Sequence, residues 1–196
     1  MQTRTNNNGE VRNQPHSPQP DIGLRGDKQV VLKALQSDGD ALEFASEQLQ
    51  NDKEIVLAAI SQSGCALQFA SKELRADVEV VRLAVQNDGS ALQWASNSLK
   101  DDPEIVEIAV EQCGDALKYA SQELRDDKEV VLMALIQDGT ALEHASERLR
   151  GDRELVLSAI KNDAWALEFA SKELRADKEI VLEVLSGDGY LLQHVC

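Results

Sequence analysis

An aspartate recurs every 25 residues, at Asp27, Asp52, Asp77, Asp102, Asp127, Asp152 and Asp177, without one insertion. A leucine three residues earlier keeps the same step, from Leu24 to Leu174. Glycine follows at Gly39, Gly64, Gly89, Gly114, Gly139 and Gly189, and only Ala164 breaks the series. A constant period without gaps means that each unit stacks on the next in one unvarying way. Seven units therefore begin at residues 27, 52, 77, 102, 127, 152 and 177, and the array runs over 22–196.

The first unit, DKQVVLKALQSDGDALEFASEQLQN, shows what repeats. Val30, Val31, Ala34 and Leu35 form one stripe of a helix. Asp27 stands at its N-cap, where a carboxylate accepts from free backbone N–H groups. Glu54, Glu79 and their equivalents add charge favoured near a helix N-terminus. Pro103, directly after Asp102, sits where the missing proline N–H costs nothing. Gly39 reads as a left-handed residue closing this helix near residue 37. A second helix of about ten residues then starts at Asp40-Ala41-Leu42-Glu43, a capping box. It ends on basic residues, Arg75, Lys100, Arg125, Arg150 and Arg175, which also neutralise the acidic edge. Helices this short are marginal alone in water, so only stacking stabilises them. The fold class is all-α: an α-solenoid of seven 25-residue helix-turn-helix repeats. A leucine-rich repeat has a similar period, but its LxxLxLxxN strand signature is absent.

Deviations from the repeat are informative. Alanines at positions 34, 41 and 45 and their equivalents give way in the last unit to Val184, Leu191 and Val195. This predicts that the alanines face the following unit and that the seventh unit is a cap. Ala164 and Trp165 predict a distorted turn in the sixth unit. Leu24-Arg25-Gly26-Asp27 matches Leu149-Arg150-Gly151-Asp152, so a vestige of a preceding helix opens the array. Residues 1–21, rich in Asn, Gln, Pro and Ser, read as a disordered tail.

The unit pattern, DxE[VI]V followed by DGxAL and AS-x-x-LR, resembles the helical repeat family named domain of unknown function 4116. Its motif is similar to two of these units in tandem. A 50-residue alternation supports the likeness: Asp38, Asp88, Asp138 and Asp188 precede glycine in odd units, Ser63 and Cys113 in even ones, and Asp163 breaks the alternation in the sixth. The resemblance implies a helical array found in protist, algal or bacterial proteins, and it transfers no catalytic residue.

The chain carries 35 acidic and 20 basic residues, a formal charge of −15. That excess disfavours nucleic acid, whose phosphates need a basic face, and anionic membrane surfaces. No apolar run is long enough to span a bilayer, so no membrane insertion is expected. Three unpaired cysteines and the absence of a secretory signal fit a cytoplasmic location. No calcium loop, phosphate loop or HExxH motif occurs. Cys65, Cys113 and Cys196 form no close pair, and His144 and His194 lie too far apart to share a metal. No metal or cofactor is expected. Serines at 46, 71, 96, 121, 146 and 171 recur in every complete unit and belong to the framework, so no catalytic residue is assigned.

Two groups of residues are candidate partner-binding positions. Phe44, Phe69, Trp94, Tyr119, His144, Phe169 and His194 form one column at the flank of the second helix. Trp94, Tyr119 and His144 are its most varied members. In units three to five the apolar residue shifts by one position, to Leu83, Ile108 and Met133, predicting a short row facing water. The expected function is a non-enzymatic scaffold for protein–protein interaction with a basic protein partner. The runner-up is a structural or regulatory segment of a multi-subunit assembly or bacterial effector, with an enzyme third.

Overall fold

The computed structural model describes residues 22–187, and over that span every regular element is a helix. Each unit opens with a long helix: Lys28–Leu35, Lys53–Ile60, Val78–Asn87, Pro103–Gln112, Lys128–Gln137, Arg153–Asn162 and Lys178–Gly187. Asp27 Oδ1 accepts from the N–H groups of Gln29 and Val30 at 2.9 and 3.2 Å. The same cap recurs at Asp52, Asp77, Asp102, Asp127, Asp152 and Asp177, which is why every helix starts in the same place.

The second half of the unit is not the continuous ten-residue helix that the pattern predicts. It divides into a six-residue 3-10 helix, such as Gly39–Phe44, and a single α-turn, such as Glu47–Gln50. The division falls at Ala45-Ser46, where both residues are extended. Its cause is a bond between units. The backbone N–H of Ser46 donates to the carbonyl of Arg25 in the preceding segment at 2.8 Å. A residue that donates outward cannot also donate to its own helix. Ser71, Ser96, Ser121, Ser146 and Ser171 repeat this bond at 2.8–2.9 Å, making a ladder along the array. The serine hydroxyl then caps the new turn, Ser121 Oγ accepting from the Leu124 N–H at 3.2 Å. Ser46 and its equivalents are framework in a definite sense: they tie each unit to the one before.

The cap of the 3-10 helix is also displaced from the capping box at residue 40. Asp38 Oδ1 accepts from the Asp40 N–H at 2.9 Å, with Gly39 between them. Gly39 is not left-handed. A Cβ added there would lie 2.5 Å from the carbonyl oxygen of Ala59 in the next unit, and Gly64, Gly114 and Gly139 meet Ala84, Ala134 and Ala159 at the same distance. Glycine is required because neighbouring backbones touch. In the sixth unit the turn keeps its shape despite Ala164, since Asp163 caps it and accepts from the Trp165 N–H at 2.9 Å.

Long helices of consecutive units pack side by side, as do the 3-10 helices, and the core lies between the two layers. The alanines face the preceding unit rather than the following one. Ala34, with no full unit before it, is exposed, whereas Ala59, Ala84, Ala109, Ala134 and Ala159 are fully buried. Val184 is buried too, so its bulk is no response to a free end. Leu191, Val195, His194, Cys196 and the 1–21 tail lie outside the described residues. The helix Ile22–Arg25, which accepts the first rung of the ladder, matches the expected vestige of a preceding unit.

Candidate functional site

The acidic edge was expected to be neutralised by the Arg75-type residues. Another cation does this. Lys28, first residue of its long helix, donates to Asp52 at 2.9 Å and Glu54 at 2.7 Å in the following unit. Lys53 does so to Asp77 and Glu79, Lys128 to Asp152 and Glu154, and Arg153 to Asp177 and Glu179. The Lys28 ammonium and the capped N–H groups hold Asp52 below the ordinary carboxylate range against partial burial, and Lys53 acts likewise on Asp77. Two of the basic residues at the ends of the short turns bind carbonyls instead, Lys100 donating to Gln93 O at 2.7 Å and Arg150 to Phe169 O at 2.5 Å, while Arg75 Nε and Arg125 Nε are buried without a partner.

This ladder of cations has a gap. Val78 and Pro103 replace the lysine in units three and four. Arg82, one turn further along, rescues Glu104 at 2.6 Å. Nothing replaces Pro103, and among the described residues Asp127 and Glu129 form no ion pair. Glu107 and Glu111, on the neighbouring helix, form none either.

The aromatic column packs against the preceding unit. Phe44, which has no full unit before it, is 59% exposed, whereas Phe69, Trp94, Tyr119, His144 and Phe169 are half-buried. Trp94 Nε1 is buried without a hydrogen-bond partner, and Lys118 Nζ lies 4.9 Å from the Tyr119 ring centre. His144 Nε2 and Asp115 Oδ1, from adjacent units, are 2.8 Å apart. Asp115 also accepts from Lys118 at 2.5 Å; that bond, then His144, holds its carboxyl low despite partial burial. The seam is a junction between units with a polar rim.

The row Leu83, Ile108 and Met133 was expected to face water as a whole. Leu83 does, at 41% exposure, while Ile108 and Met133 are half-buried and packed against the core. Two residues beside it were missed. Leu132 is 37% exposed and Ile136 is 63% exposed. Reading all outward positions of each long helix, instead of the one that shifts, would have found them.

Shallow hollows between the short turns draw on two units each, one lined by Gln122, Arg125, His144 and Ser146, another by Glu147, Arg150, Lys172 and Arg175. Among the described residues no three His, Cys, Asp or Glu side chains are grouped to hold a metal ion, and no helix is long and apolar enough to cross a membrane.

A model of one protein family, described as a domain of unknown function (DUF4116), matches residues 27–75, 77–125, 102–150, 127–175 and 152–196. Each match spans two units, beginning at odd and even units alike, so the units are interchangeable as well as alternating. Comparisons with curated proteins and with solved structures gave no match.

Proposed function

From the premise that this chain belongs to the DUF4116 repeat family, we propose that it is a non-enzymatic scaffold holding a protein partner along its outer surface. The observation that carries this reading is the row of long helices, packed side by side and presenting one extended face of repeated geometry. The recurrent polar residues support it as well. The serines and aspartates that could do chemistry cap helices and link units. A formal charge of −15 favours a basic partner, with electrostatics raising the association rate more than the affinity. A cytoplasmic setting belongs to the same reading, with Cys65 and Cys113 as free thiols.

The test uses the full chain as bait against a lysate of its source. Wild type is expected to retain a protein that Leu83→Asp loses by at least tenfold, with helical circular dichroism and melting unchanged. Leu83 is exposed, so the substitution leaves the core intact. Retention of no protein above a bare-resin control overturns the scaffold reading.

A further inference from the structure

We infer that the outer face of the fifth long helix, Lys128–Gln137, is a docking surface for an amphipathic helix whose one end is rich in lysine and arginine. The inference rests on the scaffold reading and names its site and the chemistry of its partner.

Val130, Val131, Ala134 and Leu135 of this helix are buried. The opposite stripe, at i, i+3, i+4 and i+7, is Glu129, Leu132, Met133 and Ile136. Equivalent stripes elsewhere are polar or mixed: Glu104, Glu107, Ile108 and Glu111 in unit four, and Glu154, Leu157, Ser158 and Lys161 in unit six. A helix apolar on both faces belongs in an interior. Here Ile136 is the most exposed large apolar residue described, and Leu132 one turn away is also open.

Bonds between units show which way each position leans. Lys28 and Arg82 reach forward, to Asp52 and to Glu104 of the following units. Asn162 reaches back, its Nδ2 donating to the carbonyls of Leu135 and Ile136 at 2.8 and 2.9 Å. Glu107, at the Arg82-type position, therefore leans toward unit five, and Leu132 leans toward unit six. The apolar row continues forward through half-buried Leu157 to Leu182, which is 54% exposed. Packed helices lie about 10 Å apart, and one heptad of an α-helix rises about 10.5 Å. A partner helix lying along the array thus sets one apolar residue per heptad on Leu132, Leu157 and Leu182, the helix-in-groove mode of recognition.

Charge fixes which end points where. At the unit-four side, level with Leu132 and Ile136, stand Glu107 and Glu111, which form no ion pair, and at the start of the fifth helix Asp127 and Glu129 lack the cation that Pro103 replaces. They demand cations from outside, at the end of the partner that reaches them.

The probe is a labelled peptide of about three heptads, with leucine once per heptad on one stripe and lysines clustered at one end. Binding to the full chain is read by fluorescence anisotropy. It is compared with a scrambled peptide of the same composition and with one carrying glutamate for lysine. The amphipathic lysine peptide is expected to bind at least tenfold tighter than either. Leu132→Ser with Ile136→Ser should weaken it at least tenfold with unchanged circular dichroism. Ile136→Glu alone carries this arm if the double variant melts early. Glu107→Gln with Glu111→Gln should weaken it severalfold and flatten its salt dependence. Equal binding of the scrambled peptide, or full affinity in the Leu132 and Ile136 variants, overturns the site. A chain that captures a protein through Leu83 but ignores the peptide overturns this surface and leaves the scaffold standing. A chain that captures no protein overturns the scaffold reading instead.

Discussion

Five junctions between units open the 3-10 helix on glycine, and the sixth opens it on Ala164. At the five, the facing backbones are so close that a methyl group has no room. At the sixth, a methyl is present and Val184 occupies the position that alanine holds elsewhere, still buried. One extra carbon at Ala164 and two at Val184 set the sixth junction apart from the other five, although the turn and its cap are the same in both. The spacing of this array is set by the smallest side chains in it.

Gly89→Ala should have the largest effect. Its Cβ would fall inside contact distance of the Ala109 carbonyl oxygen, with the Cys113 backbone nitrogen at 3.1 Å, and backbone yields only if the next helix moves. A loss of about 3 kcal/mol is expected, as for overpacked cores, seen as a melting midpoint many degrees lower. Gly151→Ala is the internal control. It closes a short turn, and an added Cβ there meets nothing nearer than 3.4 Å. That variant should melt within a degree or two of wild type or slightly above it. Equal melting of the two variants would remove close approach as the reason for the glycine column.

The bulkier sixth junction gives the next largest effect. Val184→Ala deletes buried methyl groups and should cost about 2 kcal/mol in the wild-type background. Combined with Ala164→Gly it recreates the glycine–alanine pair of the other junctions, and its cost should fall to about half. Strict additivity in this double-mutant cycle would show that Ala164 and Val184 are not coupled and that the comparison with Gly89 is false.

The period, the aspartate caps and the stacking were legible in the residues because each depends on local chemistry repeated in register. The split of the second helix was not, because its cause is a hydrogen bond from Ser46 to Arg25 in another unit. A serine in the middle of an otherwise regular helix was nonetheless a visible hint. The glycine column was seen but explained wrongly, since a left-handed cap and a close neighbour leave the same mark in a sequence. The alanines were assigned to the wrong side because only the last unit's exceptions were weighed. Exposed Ala34 shows that the first unit held the answer. Of the candidate row Leu83, Ile108 and Met133 only Leu83 faces water, while Leu132 and Ile136, on the outward stripe of the fifth long helix, were passed over.

The smallest effects separate the intact lysine ladder from its gap at Pro103. Asp52 and Asp77 are held below the ordinary carboxylate range by Lys28 and Lys53. A carboxylate depressed in the folded state contributes stability that is complete well above its unfolded value, near 4, and is lost as pH falls through the folded value. Melting midpoints should therefore hold from pH 7 to about 5 and decline below 4. Lys53→Met should lower the midpoint slightly at pH 7 and shrink the acid decline, because Asp77 loses the first cause of its depression. Pro103→Lys should do the reverse. It supplies Asp127 and Glu129 with the cation that their counterparts possess, so the acid decline grows even if the loss of proline at the helix start offsets the gain at pH 7. The measurement is the difference in midpoint between pH 7 and pH 3 for the three proteins, ordered Pro103→Lys, wild type, Lys53→Met. Any other order would mean that the ladder merely decorates the acidic edge and that the gap beside Glu129 has no electrostatic consequence.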